Sequence, residues 1–362
     1  MRCNSHGRSA SVLAVFCLVA GLGCDRTVQW ERTYGGPDFV EPIAIVRSPE
    51  SGYILLANIT DKWTRAKGVW LLRLDDQGET LWTRSFIIGA ETRADDVVAA
   101  SDGWILVSGR TDLPDSGSTP FLAQITSWGN VLHPYTFQNL RGGWPCLMAG
   151  APDSTVVMAG GMGSKTAFVQ RTTYTGYAFW DTTCSLPGEF PALADLRWTD
   201  DGSYLLCGRS FGIRLSESLG VLWSRDYSNL GSTDFRACDT APDGGFYLAG
   251  SVYIERGARI ICARVASDGE VLWSQRIDDP PSDGRAVCAS SDGGCYVVGR
   301  TNETDYEDGV VVKFDPEGNI EWRREFNGPQ YGVVASVTET PDGDLLLLTG
   351  ANEELRVLRV QP

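Results

Sequence analysis

Short apolar runs, each preceded by a polar turn, recur along the chain after an N-terminal apolar segment. Runs such as YILLA, WILVS and LLLLT are apolar on consecutive residues rather than on alternate ones. A strand of this kind is buried on both faces, so these runs predict sheets that are each sandwiched between two neighbouring sheets. The pattern therefore indicates an all-β chain of stacked sheets.

An aromatic motif sets the repeat length. The segments LWTRSF, LWSRDY, LWSQRI and EWRREF carry a tryptophan at the same position, and the histidine of LHPYTF fills one gap in the series. Successive markers are 52, 51, 47, 43, 50 and 49 residues apart. The markers are Trp30, Trp82, His133, Trp180, Trp223, Trp273 and Trp322. Repeats of this length are supersecondary units that must stack on their neighbours to bury their faces.

Two kinds of turn punctuate each repeat. Asp-Gly or a related pair precedes each of the fully apolar runs, and this is a strong hairpin signal because glycine tolerates positive φ. A second glycine precedes most of the marker strands. The hairpin pairs start at Ser51, Asp102, Asp153, Asp201, Asp243, Asp292 and Asp342, and the second glycines are Gly78, Gly129, Gly176, Gly220, Gly269 and Gly318.

Each repeat predicts four antiparallel strands, which in the sixth repeat cover 285–290, 295–300, 310–314 and 319–326. The chain begins with an isolated fourth strand, from Thr27, and ends after a third strand, at Val360. Pairing the two would complete the last sheet and remove the open edges. The sequence therefore predicts a seven-bladed β-propeller that is closed by its N-terminal strand.

The first residues indicate export. Residues 12–20, VLAVFCLVA, form an apolar run that is too short to span a bilayer and suits a signal peptide. The run ends in AGLGC, which resembles the bacterial lipobox, and the resemblance implies that Cys24 is lipidated. We therefore expect a signal peptide at 1–23, a short tether at 24–28 and one propeller domain at 29–362. The expected location is the periplasm or the cell surface, with the protein attached to a membrane by its lipid.

Charge and histidine content narrow the functional classes. The net charge is −15 and the isoelectric point is about 4.6, so the surface repels nucleic acid and anionic lipid headgroups. The chain has two histidines, and His6 lies in the export segment. Since multi-histidine zinc sites and Ser-His-Asp triads need available imidazoles, the sequence indicates no such centre. We predict no catalytic, cofactor-binding or metal-binding residue.

The segments LDDQGETLW, VASDGEVLW and FDPEGNIEW resemble the repeats of bacterial quinoprotein propellers, the PQQ-type repeat, a group that includes envelope lipoproteins. This resemblance implies a non-catalytic binding or scaffold protein of the cell envelope, and we expect a monomer whose partner is an envelope protein, a peptide or a carbohydrate. It leaves open a propeller enzyme, either a quinone-dependent dehydrogenase or a carbohydrate-active enzyme. The adjacent cysteine pair of many such dehydrogenases is missing from this chain.

The predicted ligand-binding face is the one that carries the irregular loops, those between strands two and three and those between blades, because binding residues concentrate on such loops. Its arginines could hold a carboxylate, a phosphate or an acidic sugar, and its aromatic side chains could stack on a ligand. The candidates are Arg93, Arg110, Arg209, Arg236, Arg285, Arg300, Trp63, Trp144 and Tyr331, together with Tyr253. The alternative is that these arginines pair with Asp95, Asp234 and Asp283.

Two further features have a structural and a chemical interpretation. The acidic loop of Glu303, Asp305, Glu307 and Asp308 is either solvated or a Ca²⁺ ligand set. Cys207 and Cys262 stand where sister repeats carry Ala or Val, which indicates small buried side chains. Cys288 and Cys295 flank one hairpin turn and are the pair that the sequence favours for a disulfide.

Overall fold

The computed structural model describes residues 28–35, 38–115, 117–132, 134–138, 140, 146–151, 153–188, 192–255, 257–278, 280, 282–301, 308–328, 330–351 and 353–362. Within them the chain forms seven separate four-stranded antiparallel sheets. The predicted signal peptide, the tether up to Thr27 and the lipidation residue Cys24 lie outside the described residues. So do His133, Trp144 and the loop residues 302–307. No helix in the described part of the chain is both long and apolar enough to cross a membrane.

The blades follow one another along the chain, with strand one innermost. Blade 1 contains β2 (Phe39–Arg47), β3 (Tyr53–Thr60), β4 (Lys67–Leu74) and β5 (Thr80–Phe86). Blade 2 contains β6 (Thr92–Ala99), β7 (Ile105–Leu113), β8 (Gly117–Ile125) and β9 (Tyr135–Thr136). Blade 3 contains β10 (Leu147–Gly150), β11 (Thr155–Gly161), β12 (Thr166–Thr173) and β13 (Ala178–Ser185). Blade 4 contains β14 (Leu193–Trp198), β15 (Tyr204–Gly208), β16 (Phe211–Leu215) and β17 (Val221–Asp226).

The last three blades have the same organisation. Blade 5 contains β18 (Ser232–Thr240), β19 (Phe246–Ile254), β20 (Gly257–Val265) and β21 (Val271–Arg276). Blade 6 contains β22 (Ser282–Ala289), β23 (Cys295–Thr301), β24 (Asp308–Phe314) and β25 (Ile320–Phe326). Blade 7 contains β26 (Val333–Glu339), β27 (Leu345–Ala351), β28 (Glu354–Val360) and, as its outermost strand, β1 (Val28–Gly35).

The N-terminal strand closes the ring as predicted. β1 runs antiparallel to β28, with Val28 opposite Val360 and Gly35 opposite Glu354. This pairing gives blade 7 its fourth strand, and blade 7 then packs on blade 1. The sequence-based fold, an all-β propeller of seven four-stranded blades, is confirmed.

The core lies between blades rather than at one centre. Leu55 and Leu72 of blade 1, for example, pack in one cluster with Leu346 and Leu348 of blade 7, and all four are almost fully buried. Strands two and three provide most of these contacts, which explains why they are apolar on consecutive residues. Each blade boundary therefore acts as a small hydrophobic core of its own.

Four marker tryptophans pack against the turn glycine of the neighbouring blade. A Cβ added at Gly78 would lie 2.7 Å from the Trp30 ring, and one at Gly318 would lie 2.6 Å from the Trp273 ring. The indole Nε1 of Trp273 also donates to the Pro316 carbonyl, at 2.8 Å. At Gly78, Gly129, Gly269 and Gly318 the second glycine thus serves both the positive φ of the turn and the close approach of the neighbouring tryptophan.

Two blades depart from the repeat pattern. In blade 2 the ring against the turn glycine of the next blade is Tyr135, which would lie 2.2 Å from a Cβ at Gly176. In blade 4 the residue in the left-handed conformation is Leu219, with φ of 64°, rather than the repeat glycine Gly220. Leu219 donates its N–H to the Ser216 carbonyl at 2.8 Å and is 97 % buried (3 % exposed) in the core. Burial of this leucine offsets the left-handed strain, which costs about 1–2 kcal/mol.

Strand direction defines two faces of the propeller. The turn face carries the hairpin turns between strands one and two and the turns between strands three and four. The irregular face carries the loops between strands two and three and the loops between blades. Strand one of every blade begins on the irregular face, next to the axis.

Candidate functional site

A one-residue register shift near the irregular face aims side chains at the mouth of the ring. It occurs in the innermost strand of six described blades, and a β-bulge of this kind redirects the extra residue. The extra residues are Ile43, Asp95, Ala194, Arg236, Arg285 and Ala335. Blades 5 and 6 therefore each present an arginine at this position.

In blades 2, 4, 5 and 6 a glycine at or near the end of strand two makes room for the bulge. A Cβ at Gly299 would lie 2.0 Å from the Asp283 carbonyl oxygen, and one at Gly250 would lie 2.1 Å from that of Asp234. No other residue fits at these positions without moving the backbone. The residue after the glycine, Arg300 in blade 6 and Ser251 in blade 5, is thereby held beside strand one.

The bulges and the post-glycine residues build what we call the arginine cluster. Arg236 donates Nη1 to both carboxylate oxygens of Asp283, at 2.8 and 3.0 Å. Arg285 Nη2 lies 2.9 Å from Asp283 Oδ2, and Arg300 Nε lies 3.4 Å from the same oxygen. Asp283 also accepts from the Ser251 hydroxyl. The cluster is completed by Asp234, which contacts Arg236 at 3.2 Å and Arg209 at 3.8 Å.

The charged groups of this cluster shift one another's pKa values. Burial alone would raise the pKa of Asp283, but the Ser251 hydroxyl and the guanidinium groups of Arg236 and Arg285 outweigh burial, so this pKa lies below its usual value. Burial, together with the like charges of Arg236 and Arg300, lowers the pKa of Arg285. Arg285 is thus the cation that its surroundings stabilise least.

The arginine cluster contains more arginines than acids among the residues that the structure describes. Four guanidinium groups face two carboxylates there, in a chain whose net charge is −15. Nε of Arg285 is buried and has no hydrogen-bond acceptor among the described residues, although 35 % of the side chain is exposed. The predicted alternative, that Asp234 and Asp283 pair with these arginines, is confirmed in geometry.

The two arginines of blade 2 lie apart from this cluster. Arg93 forms an ion pair with Glu41 of blade 1. The positive charge of Arg110 acts on Asp95, which also accepts a hydrogen bond from the Cys146 backbone N–H at 3.0 Å. Each of the two arginines of blade 2 thus lies near an acidic side chain.

The predicted aromatic side chains do not converge. Trp63 is 89 % exposed and lies in the loop between strands two and three of blade 1. The Tyr331 hydroxyl lies 3.3 Å from Glu31 of β1, and its ring packs edge-on against Phe326, so Tyr331 fills the boundary between blades 6 and 7. Tyr253 is 47 % exposed, and its hydroxyl is close enough to affect the pKa of both Arg236 and Arg285.

A second charged group, which the sequence analysis missed, lies on the axis. Arg197 of blade 4 forms an ion pair with Asp195 at 3.1 Å and interacts electrostatically with Asp96 of blade 2 and Asp239 of blade 5. Only side chains that point at the axis can meet those of a non-adjacent blade. Strand one of blade 4 carries charged residues at alternate positions, Asp195 and Arg197, with Leu196 between them. This pattern of charges on one side of a first strand could have identified the group.

These axial groups titrate abnormally. Burial raises the pKa of Asp96 to about 7, although Arg197 opposes the shift. Burial also raises the pKa values of Asp195 and Asp239, whereas Asp195 raises that of Arg197. Each carboxylate accepts a backbone N–H of the next blade: Asp96 from Met148 at 2.9 Å and Asp195 from Cys238 at 3.0 Å. These axial side chains thus form polar contacts between blades.

The turn face has an acidic depression at the same axis. It has a volume of about 380 Å³ and is lined in part by Asp200, Asp239 and Glu339. Glu339 accepts from the backbone N–H of Ser291 at 2.9 Å. Among the described residues, the turn face thus carries this acidic depression, whereas the arginine cluster lies on the irregular face.

Thiols and acids elsewhere offer little for catalysis or metal binding in the described chain. Cys207 and Cys262 are fully buried, as predicted, and burial raises the pKa of Cys288 to about 12. No group of three or more metal-ligating side chains is assembled among the described residues. Of the predicted Ca²⁺ loop, only Asp308 is described, and it accepts from the Gly328 N–H at 3.0 Å.

The predicted disulfide between Cys288 and Cys295 is wrong. Strand register places Cys295 opposite Ala289 and Cys288 opposite Tyr296. Because successive residues of a strand point to opposite faces, the two thiols lie on opposite sides of blade 6.

Comparison with known proteins gives one family match and many structural ones. A family model described as outer membrane protein assembly factor BamB matches residues 218–361, less than half of the chain. No curated protein matches.

Solved structures match over nearly the whole chain. A streptogramin B lyase has 14 % identity and a TM-score of 0.63, with 93 % of this chain and 99 % of that chain covered. The virginiamycin B lyase of Staphylococcus aureus has 13 % identity and a TM-score of 0.62, with 92 % and 99 % covered. The WD40 propeller domain of Doa1 has 16 % identity and a TM-score of 0.60, with 92 % and 94 % covered. At such identities the likeness is one of fold. Together with the repeats read from the sequence, these matches show that the chain is a seven-bladed β-propeller, and residues 218–361 resemble PQQ-type repeats.

Proposed function

We propose that this protein is a non-catalytic binding propeller of the bacterial cell envelope, and that it takes an anionic group of its ligand or protein partner at the arginine cluster on the irregular face. The single observation behind this proposal is the convergence of four guanidinium groups on Asp234 and Asp283 among the described residues. Guanidinium groups bind carboxylates and phosphates bidentately, and partial burial strengthens such contacts.

The envelope location rests on two sequence features. The first is the export segment that ends at Cys24, the residue we expect to be lipidated. The second is the partial match to the family model named after an outer-membrane assembly factor. An arginine cluster on a chain that is acidic as a whole suits a partner that carries a local negative group.

The test is an anion titration of the full chain at constant ionic strength. Inorganic phosphate and succinate, with chloride as the background ion, should raise the melting temperature of the wild type, because a ligand that binds only the folded state stabilises it. Arg285→Gln should weaken the binding about 10- to 100-fold, the effect of losing one charge-assisted hydrogen bond. The relative strength of phosphate and succinate identifies the preferred anion.

The matched control is Arg276→Gln. Arg276 is a half-exposed arginine on the outermost strand of blade 5 and is paired with Asp278. This variant should bind anions as the wild type does. Equal anion effects in the Arg285 variant and the wild type would contradict the anion site. Reduction of a redox dye by the full chain with pyrroloquinoline quinone and Ca²⁺ would contradict the non-catalytic assignment.

A further inference from the structure

Two pairs of buried thiols lie across neighbouring blade boundaries. Sγ of Cys262, on β20 of blade 5, lies 3.6 Å from Sγ of Cys295, on β23 of blade 6. Cys207, on β15 of blade 4, and Cys238, on β18 of blade 5, lie in one core cluster at the boundary between these two blades. All four side chains are fully buried, each pair within one core cluster.

We propose that Cys262 and Cys295 form a disulfide that joins blade 5 to blade 6, and that Cys207 and Cys238 form one that joins blade 4 to blade 5. The proposal rests on the proposed envelope location, because disulfides persist in the oxidising compartments outside the cytoplasm. Sulfur atoms in a disulfide are about 2.05 Å apart, so the Cys262 and Cys295 sulfurs must approach by about 1.5 Å, which small side-chain rotations supply.

The chemistry is thiol–disulfide exchange with a disulfide oxidant, such as an envelope dithiol oxidase or oxidised glutathione. One protein thiolate attacks the oxidant and forms a mixed disulfide, and the second thiolate then displaces the oxidant's remaining sulfur. The protein loses two electrons and two protons per pair, and the S–S bond of the oxidant is reduced to two thiols.

Burial fixes when this exchange takes place. Burial raises the pKa of Cys238 and Cys295 well above the usual value, so the folded protein offers almost no thiolate and no access to an oxidant. The bonds must therefore form before the blade boundaries have closed. Once they have formed, the same burial protects them from reductants.

The two cysteine pairs lie close to the arginine cluster along the chain. Cys207 of β15 precedes Arg209 by two residues, and Cys238 follows Arg236 by two residues on β18. The arginine cluster is assembled across the boundaries between blades 4 and 5 and between blades 5 and 6, which are the two boundaries that the disulfides span. The covalent links therefore hold the three blades that supply the four arginines.

The experiment is peptide mapping of the full chain, expressed with its own N-terminus and alkylated in the cells before lysis. Unfolding without reductant, second alkylation and proteolysis should yield cross-linked peptides that contain Cys262 with Cys295 and Cys207 with Cys238. The remaining described cysteines, Cys146, Cys184 and Cys288, should be alkylated. The same chain, reduced, unfolded and refolded in a glutathione redox buffer, should give the same map.

The two arms separate the possible failures. Cross-links after refolding but none in cells would support the pairing and contradict the envelope location. No cross-linked peptide in either arm would overturn the proposal. Oxidised wild type should melt about 10 °C above the reduced protein, about 5 °C for each link. Cys295→Ser should lose half of this redox-dependent difference and Cys288→Ser none of it, which separates a disulfide from the packing cost of a buried serine.

Discussion

Arg236 of blade 5 reaches across a blade boundary and donates one guanidinium nitrogen to both carboxylate oxygens of Asp283 in blade 6. Arg285 and Arg300 approach the same carboxylate from within blade 6. One acid thus holds three arginines together. The charge balance at the mouth of the ring depends on this residue more than on any other member of the arginine cluster.

Asp283→Asn should destabilise the fold by about 2 kcal/mol at pH 7, less than the loss of a fully buried ion pair because the arginines are partly solvated. Since the pKa of Asp283 is lowered in the folded state, its stabilising effect is present above the unfolded pKa of about 4 and is lost as pH falls through the folded pKa. Urea unfolding at pH 7 and pH 3 should show the gap between variant and wild type closing in acid. The exposed Asp200 provides the control, Asp200→Asn. A gap that is equal at both pH values would contradict the assignment.

Asp96→Asn should have the opposite pH dependence. Its folded pKa, raised to about 7 by burial, exceeds the unfolded value of about 4, so the wild type loses stability as pH rises between these two values and then levels off. The asparagine variant lacks this loss. Urea midpoints at pH 5 and pH 8 should therefore differ less for the variant than for the wild type, whereas the Asp200 control should follow the wild type. An unchanged difference would show that Asp96 titrates normally.

Gly299→Ala should disrupt the bulge that aims Arg285. The new methyl group would lie 2.0 Å from the Asp283 carbonyl oxygen, so the backbone has to move, at a cost of about 2–3 kcal/mol. Anion binding should fall together with stability. Gly35→Ala is the matched control, because the nearest atom to its Cβ is the flexible Glu354 side chain at 3.3 Å. Normal anion binding by the Gly299 variant would mean that the bulge does not position Arg285.

Most of the fold could be predicted from the sequence because its signals are local. Consecutive apolar residues reveal strands buried on both faces, and the Trp30–Gly78 contact has a repeated sequence signature. The isolated fourth strand at the start of the sequence predicted the closure of blade 7. The left-handed conformation of Leu219 has no such local signal, because only burial of the side chain, a tertiary property, stabilises it.

The site was less accessible to prediction, since it depends on contacts between blades. The arginines were identified by their repeat positions. The register shifts that bring Arg236 and Arg285 to the same acid change nothing in the residue pattern. Likewise, the approach of Cys262 to Cys295 joins two blades, and a search for nearby partners in the sequence selected Cys288 instead.

Membrane orientation gives a further prediction. Three residues separate Cys24 from β1, a tether of about 15 Å when extended, and β1 starts on the turn face. If Cys24 is lipidated, the turn face lies near the bilayer. A membrane-impermeant maleimide should then label Tyr253→Cys faster than Asp268→Cys on intact membranes, and equally fast after Cys24→Ser releases the protein. Faster labelling at position 268 on membranes would refute this orientation.

The opposition of Val28 and Val360 in blade 7 makes the two ends of the fold neighbours. A short peptide from the C-terminus to the N-terminus would complete a covalent circle without disturbing any blade. The chain could then be cut at another exposed hairpin, such as that of Gly343. The blade that is completed by both ends of the chain would then be a different one. The ring of blades therefore does not itself determine where the chain must start and end. A fusion placed after Val360 would emerge on the turn face, on the side away from the arginines.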